Sequence, residues 1–503
     1  MPKIGTVVST IDSPNTTKFA FVINDDAVGL VRKGQFIELE HENGKLIATV
    51  RDIFRSNRYF ERAESVAEYE RTGILSSHFP VKEWNYTVAE AGIVGVYDDM
   101  VLHRCSFPPC PGTEVYTADE SLLSKYLGFK SNGLNIGKLL NHAVDVRLGL
   151  SKLFQKHVAI LAMSGAGKSY LVGVMLEELL KRREEDGQVG VVVIDMHGEY
   201  SGLREAFPDR VTVYDGSKVC IGMKNSSLEI FPFYYSLSGP QKRMLSTTFN
   251  MLKRSARLEH KLFTVKDIIL ELNSIDDKKQ ASTRDTLVEH LDSLSKMRLF
   301  GKVDDPSISS LVKPGQISII DLRNVDNERK RQIIVTYYAK RLFNAVKKGK
   351  IPPFILFIEE AHNFAGEKVS REDMPSRPEI ERIAREGRKF GASLCLISQR
   401  PVRLSTTALS QCNTHIILRV TNPYDIKHIG ESSEGIDNYM LNSITSLKVG
   451  EALIVGEAVV QPLFVRVRKR EYEYNKLDDD LETIAKKFQL KNKKMMDDVE
   501  AFI

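Results

Sequence analysis

Residues 162–169 read Ala-Met-Ser-Gly-Ala-Gly-Lys-Ser, directly after the apolar run His157-Val-Ala-Ile-Leu161 and directly before the helical pattern Tyr170-Leu-Val-Gly-Val-Met-Leu-Glu-Glu-Leu-Leu180. Strand, small-residue loop and helix follow in the order that an NTP-binding P-loop requires. Small residues let consecutive N–H groups turn inward on a polyphosphate, at a helix N-terminus whose dipole already favours anions. Ser164, Gly165, Ala166, Gly167 and Tyr170 are therefore expected around the nucleotide, with Lys168 reaching the β- and γ-phosphates of ATP and Ser169 holding Mg²⁺. Ala162 stands where the usual pattern has its first glycine, and alanine is tolerated there if its φ is negative. The competing reading is a chance match in a glycine-containing loop.

A chain of 503 residues with 42% hydrophobic composition buries a large core and divides into two or three domains. No stretch approaches 18 uninterrupted apolar residues, and Met1-Pro-Lys-Ile lacks a signal-peptide core, so no membrane partner and a cytoplasmic location are expected. Of five cysteines only Cys105 and Cys110 lie close together, with no second pair to complete a zinc site. A net charge of +5 is too mild to argue nucleic-acid binding from overall charge; basic residues must be concentrated on one surface for that.

The first hundred residues carry short apolar runs at 18–23, 35–39 and 46–50, separated by turn signals such as Gly34 and Asn43-Gly44. That spacing predicts a small β-barrel over residues 1–125. From about residue 145 apolar strands alternate with amphipathic helices, which predicts an α/β fold with a parallel sheet. Residues 239–300 are rich in charged helical patterns and read as a helical insertion, dividing the α/β region into 126–238 and 301–468. Residues 469–503 read as a charged helical tail, either an arm between subunits or a solvated end.

The strand Ile355-Leu-Phe-Ile ends in Glu359-Glu360-Ala-His362. A strand buried on both faces delivers side chains at its C-terminal edge, where ligands sit in open parallel sheets. Glu359 is placed to bind the Mg²⁺ shell through water and Glu360 to polarise the attacking water; the alternative is a strand end meeting solvent. Val191-Val-Val-Ile-Asp195 ends similarly, and Asp195 either assists metal or water positioning or caps the following turn. Gln399, after the strand Ala392–Ser398, has an amide suited to sensing a γ-phosphate. Arg382, Arg385, Arg388 and Lys389 stand at helical spacing, either a solvated basic face or the place of an arginine finger.

Together these segments resemble the HerA family of hexameric DNA translocases, archaeal type, within the wider group that includes FtsK and conjugation ATPases. The resemblance rests on Leu134-Asn-Ile-Gly137, the P-loop, Ile194-Asp-Met-His-Gly-Glu-Tyr200, Phe357-Ile-Glu-Glu-Ala-His362, Arg385-Glu-Gly-Arg-Lys-Phe-Gly391, Ile397-Ser-Gln-Arg-Pro401 and Leu409-Ser-Gln-Cys-Asn-Thr414, in order across almost the whole chain. It implies a barrel of the kind found in rotary ATP synthases, a RecA-like P-loop NTPase core with a helical insertion, and a C-terminal brace crossing to the next subunit. It further implies a homohexamer around duplex DNA that works with the NurA nuclease in end resection for homologous recombination, alongside the break-processing nuclease complex. The roles it implies are phosphate and Mg²⁺ binding for Lys168 and Ser169, catalysis for Glu360, γ-phosphate sensing for Gln399 and support for Asp195. Arg147 and Arg385 are its candidate trans fingers, with Arg385 preferred, and Lys368 and Arg371 are candidate pore contacts with DNA. A conjugation- or secretion-type polymer pump and an ATP-gated scaffold that loads a nuclease are the competing functions.

Overall fold

The structure, a computed structural model, describes residues 2–10, 13–57, 60, 63–72, 85–98, 101–276, 279–433, 435–472 and 481–500. The chain forms two compact units, residues 1–178 with 393–469 and residues 179–392 with 470–503.

The first unit opens with β1 (Lys3–Val8), β2 (Lys18–Ile23), β3 (Phe36–His41), β4 (Gly44–Asn57), β5 (Asn85–Asp98), β6 (Val101–His103) and β7 (Glu114–Thr117). They pair in the order β2-β1-β7-β3-β4-β5, and β5 returns to β2 from Lys18↔Gly92 to Ile23↔Thr87, closing a six-stranded barrel with β6 appended. Alternate residues, among them Phe19, Phe21, Leu46, Ala48, Val50, Ala89 and Ala91, fill its interior. Register shifts in β4 between Ile47 and Ala48 and between Val50 and Asp52 supply the bends that closure needs.

The chain continues through β8 (Leu134–Leu139), β9 (Asp145–Leu148), β10 (Val158–Leu161) and the P-loop helix Lys168–Lys181. The second unit holds β11 (Gly190–Asp195), β12 (Val211–Asp215), the two-residue partners β13 (Ile221–Gly222) and β14 (Phe300–Gly301), β15 (Ile317–Asp321) and β16 (Phe354–Ile358). The first unit is then completed by β17 (Ala392–Ser398), β18 (Thr414–Ile417), β19 (Glu451–Gly456) and β20 (Leu463–Val467).

In the second unit β12, β15, β11 and β16 are parallel neighbours in that order. Every residue of β11, β15 and β16 is buried, which is why these strands read as continuous apolar runs. Between β12 and β15 lie the helices Gly239–Leu258, Val265–Asn273 and Ala281–Lys296, the expected helical insertion. Ser238 with Gln241 and Thr264 with Asp267 form capping boxes that start the first two.

In the first unit the order is β17-β10-β18-β19-β20-β8-β9. Only β17, β10 and β18 run parallel; from β18 to β9 every pairing is antiparallel. The expected parallel sheet is therefore extended in this unit by an antiparallel set of strands, to which residues 451–455 belong. The connections after β8 and β19 are too short to carry the crossover that a parallel partner requires.

Arg468, just past β20, ties this sheet to the P-loop helix. Its guanidinium lies 3.0 Å from Glu177 Oε2 and 2.8 Å from Glu178 Oε1, and its Nε donates to the Asn135 carbonyl at 3.1 Å. Glu177 is fully buried. Arg468→Met therefore removes the cation from a carboxylate that stays out of water, and urea unfolding is expected to show a loss of about 3 kcal/mol. A loss below about 1 kcal/mol would assign the pair to the weak class of surface ion pairs.

Candidate nucleotide site

All four residues of β10 are fully buried, and the strand is bonded on both sides by parallel neighbours. The same neighbours take up the next two amides: Ala162 N–H donates to the Ser398 carbonyl at 3.2 Å and Met163 N–H to the Arg419 carbonyl at 2.9 Å. The chain then turns through Gly165 at φ +74° and Gly167 at φ +97°. A Cβ on Gly165 would meet nothing within 4 Å, and one on Gly167 nothing nearer than 3.5 Å. The left-handed backbone, rather than crowding, is what calls for glycine here. Ala166 is fully buried inside the turn, and Leu171 N–H donates to the Gly167 carbonyl as the helix begins. Lys168 is buried, Ser169 half-buried, and Ser164, Gly165 and Tyr170 are exposed. These residues fit a polyphosphate: glycine at the left-handed positions, a helix N-terminus behind them, and one lysine and one hydroxyl at its start.

Gln399 follows Ser398, whose register partner is Leu161, so the P-loop and Gln399 leave the sheet side by side. Arg147 lies elsewhere, on the outermost strand β9, five strand spacings or roughly 24 Å from β10. Its guanidinium is 3.3 Å from Asp145. Arg419 was not anticipated: its carbonyl anchors Met163, and its buried Nε meets no acceptor among the described residues.

The second unit sets carboxylates along the C-terminal edge of its parallel strands. Asp215 pairs in register with Asp321, Asp321 with Asp195, and Glu359 follows the Ile194↔Ile358 pair. Asp195 Oδ1 accepts from the N–H groups of Gly198 at 2.7 Å and Glu199 at 3.0 Å, and Oδ2 from Tyr200 at 2.9 Å. Burial is the largest influence on this carboxyl and holds it above the usual range, against those donors and a hydrogen bond with Glu359. Glu359 is fully buried, and its Oε2 accepts from Met196 at 2.9 Å and His197 at 3.2 Å. Both acids thus organise the turn at 196–200. Asp321 is held 2.8 Å from Arg323, whose Nη2 donates to Ser201.

Glu360 has φ +46° and ψ +48°, a left-handed conformation that costs a non-glycine residue about 1–3 kcal/mol. It is buried, and its Oε2 lies 3.3 Å from His362 Nδ1. Asp195, Glu359 and Glu360 are accordingly gathered on adjacent strand ends. Lys368 is exposed at φ +57°, and Arg371 is exposed with its guanidinium 4.7 Å from the Tyr235 ring centre. Arg385 sits on the helix Ser376–Glu386, half exposed, 3.8 Å from Glu381. Among the described residues no group of three or more His, Cys, Asp or Glu is arranged to hold a metal. Mg²⁺ suits such a site nonetheless, because it keeps several waters and takes substrate phosphates with one or two protein oxygens, of which the Ser169 hydroxyl would be one. Asp321 was missed although Ile317-Ser-Ile-Ile-Asp321 repeats the acid-ended strand of Asp195.

The family profile described as "Helicase HerA, central domain" matches residues 134–342. A probable helicase of Methanocaldococcus jannaschii is 30% identical over 496 residues, covering 93% of this chain and 92% of its own. The DNA double-strand break repair helicase HerA of Pyrococcus furiosus is 29% identical over 506 residues, with 90% of each chain covered. Among solved structures, VirB4 of Thermoanaerobacter pseudethanolicus has a TM-score of 0.55 at 15% identity, over 68% of this chain and 98% of its own, a likeness of fold alone. With a 30% identical relative matched along nearly its full length, this P-loop protein belongs to the HerA helicase family.

Proposed function

We propose that the protein is an ATP-driven translocase on duplex DNA, working in the cytoplasm as a homohexameric ring with a NurA-type nuclease in end resection for homologous recombination. A break-processing nuclease complex is its further partner in this reading. The observation that carries the motor assignment is the P-loop leaving β10 beside Gln399, the residue that follows β17. The names of the HerA relatives support the DNA substrate. No helix among the described residues is long and apolar enough to cross a membrane.

In this reading MgATP supplies the scissile phosphoryl group, and the protein supplies position and charge. Lys168 holds the β- and γ-phosphates, Glu360 orients water from its fixed left-handed position, Gln399 reports the γ-phosphate, and Asp195 and Glu359 keep the 196–200 turn rigid. The helix Leu481–Glu500 exposes Leu481, Ile484 and Phe488 at spacings of three and four, a stripe suited to bracing a neighbouring copy.

Lys168→Ala is expected to abolish ATP turnover, whereas Glu360→Gln should bind nucleotide and lose ~100-fold or more in turnover. Steady-state ATPase and nucleotide-binding assays read both; near-normal turnover in the glutamine variant would remove Glu360 from the water-positioning role.

Arg385 in one subunit is the preferred cation for its neighbour's phosphates. Arg385→Ala should assemble and bind ATP but lose up to ~10³-fold in turnover. Mixed with Lys168→Ala subunits it should regain activity, because some interfaces then pair an intact P-loop with an intact arginine. Absence of recovery after verified subunit exchange would place Arg385 in its own subunit and transfer the role to Arg147.

Duplex affinity is expected to fall steeply with salt and to vary little with sequence, since a pore that tracks phosphates releases counterions without reading bases. Binding curves on unrelated duplexes at several salt concentrations check this; strong preference for one sequence contradicts it.

A further inference from the structure

The insertion helix Gly239–Leu258, the helix Glu328–Lys347, the segment 225–235 and residues 371–379 enclose a cavity of about 210 Å³ in the second unit. Four cations line it, Lys253, Lys340, Arg341 and Arg371, against two acids, Glu229 and Glu379. Lys340 Nζ accounts for the acids, 2.8 Å from Glu229 and 3.8 Å from Glu379. The other three cations have weaker compensation. Lys253 Nζ donates only to the Ser226 carbonyl in the described contacts, at 2.7 Å. Arg341 lies 3.8 Å from Asp304, and its buried Nε meets no acceptor among the described residues. The Arg371 guanidinium carbon lies 4.7 Å from the Tyr235 ring centre.

Burial, followed by Arg257, Arg341 and Lys340, pushes the Lys253 ammonium below the usual lysine range. Mutual repulsion of half-buried cations is a cost to the folded chain, and an anion in their midst relieves it. A volume of about 210 Å³ is below that of ordinary small-molecule pockets, roughly 300–1,000 Å³, and accommodates a phosphoryl group with its waters. Guanidinium forks match phosphate oxygens in geometry, and ammonium groups add point charge.

We propose that this cavity is a phosphoryl-binding site, separate from the P-loop, in which Lys253, Arg341 and Arg371 receive the phosphate oxygens. Arg371 stands in the segment that follows Glu360, so a ligand here also fixes that segment. The site depends on charge and shape alone and does not rest on the chain being a DNA motor.

The test is calorimetric titration of inorganic phosphate into the full chain whose P-loop is filled with a non-hydrolysable ATP analogue. Saturable binding is expected, weakened at least ~10-fold in both Lys253→Met and Arg371→Ala, the scale of one lost hydrogen bond to a charged group. Arg371 is exposed, so its result decides if Lys253→Met folds poorly. Repeating the titration with duplex DNA present separates the sources. Displacement of phosphate by duplex, with weakened duplex binding in Arg371→Ala, identifies a nucleic-acid backbone; unchanged phosphate affinity identifies a small phosphorylated molecule. Either result supports the site. Absence of saturable binding, or wild-type affinity in Arg371→Ala, overturns it.

Discussion

The double parallel pairing of β10 is the constraint on which the nucleotide site depends. Bonded to β17 on one side and β18 on the other, the strand has no free edge along which to slip. Its partners also consume the amides of Ala162 and Met163, so the turn into the P-loop begins at a fixed residue. At the far end of the loop, the helix Lys168–Lys181 is anchored through Glu177 and Glu178 to Arg468. Loop and helix are thus held from both ends.

The carboxylates of the second unit and the turn after β11 hold one another in place. A buried carboxylate requires donors, and for Asp195 and Glu359 those donors are successive amides of the turn after β11. Five N–H groups from 196 to 200 are satisfied by two side chains. The turn becomes rigid because the acids are buried, and the acids are tolerated because the turn surrounds them. Glu360, one residue on, is the side chain whose backbone departs from the strand into a left-handed conformation. A strained residue at the edge of a rigid array is where chemistry is commonly concentrated.

Much of this was legible in the chain. The P-loop announces itself because its constraints are local: a buried strand, two glycines at left-handed positions and a helix start lie within about a dozen residues. The barrel was legible for a similar reason, its short runs alternating between turn signals. What escaped is what depends on distant pairing. β8, β9 and β20 are brief and only partly apolar, so nothing local marks them as strands, and their antiparallel partners lie up to hundreds of residues away. The sequence places Asp195 at a strand end but not the three amides that surround it, since backbone donors have no residue signature. Arg147 likewise looks close to the P-loop along the chain, yet five strand spacings separate β9 from β10 once the sheet is ordered. Arg468 carries no pattern at all until Glu177 is seen to be buried.

Within the second unit, the helix Glu328–Lys347 is the element common to the carboxylate edge and the helical insertion. Near its start, Gln332 Nε2 donates to the Asn363 carbonyl at 2.5 Å, and its Oε1 accepts from Ser376 at 2.6 Å. Ser376 also approaches the Phe364 carbonyl at 2.6 Å, so the segment after Glu360 is tied to this helix through one amide and one hydroxyl. Two turns later, Lys340 and Arg341 face the cationic cavity. The residues between are largely buried, including Ile333, Val335, Tyr338 and Ala339. A close-packed helix of this kind shifts as a body because its neighbours leave little room for local adjustment. The cavity and the segment after Glu360 thus share this helix, which reaches Asn363 and Phe364 through Gln332 and Ser376, while Arg371, which belongs to that segment, lines the cavity itself.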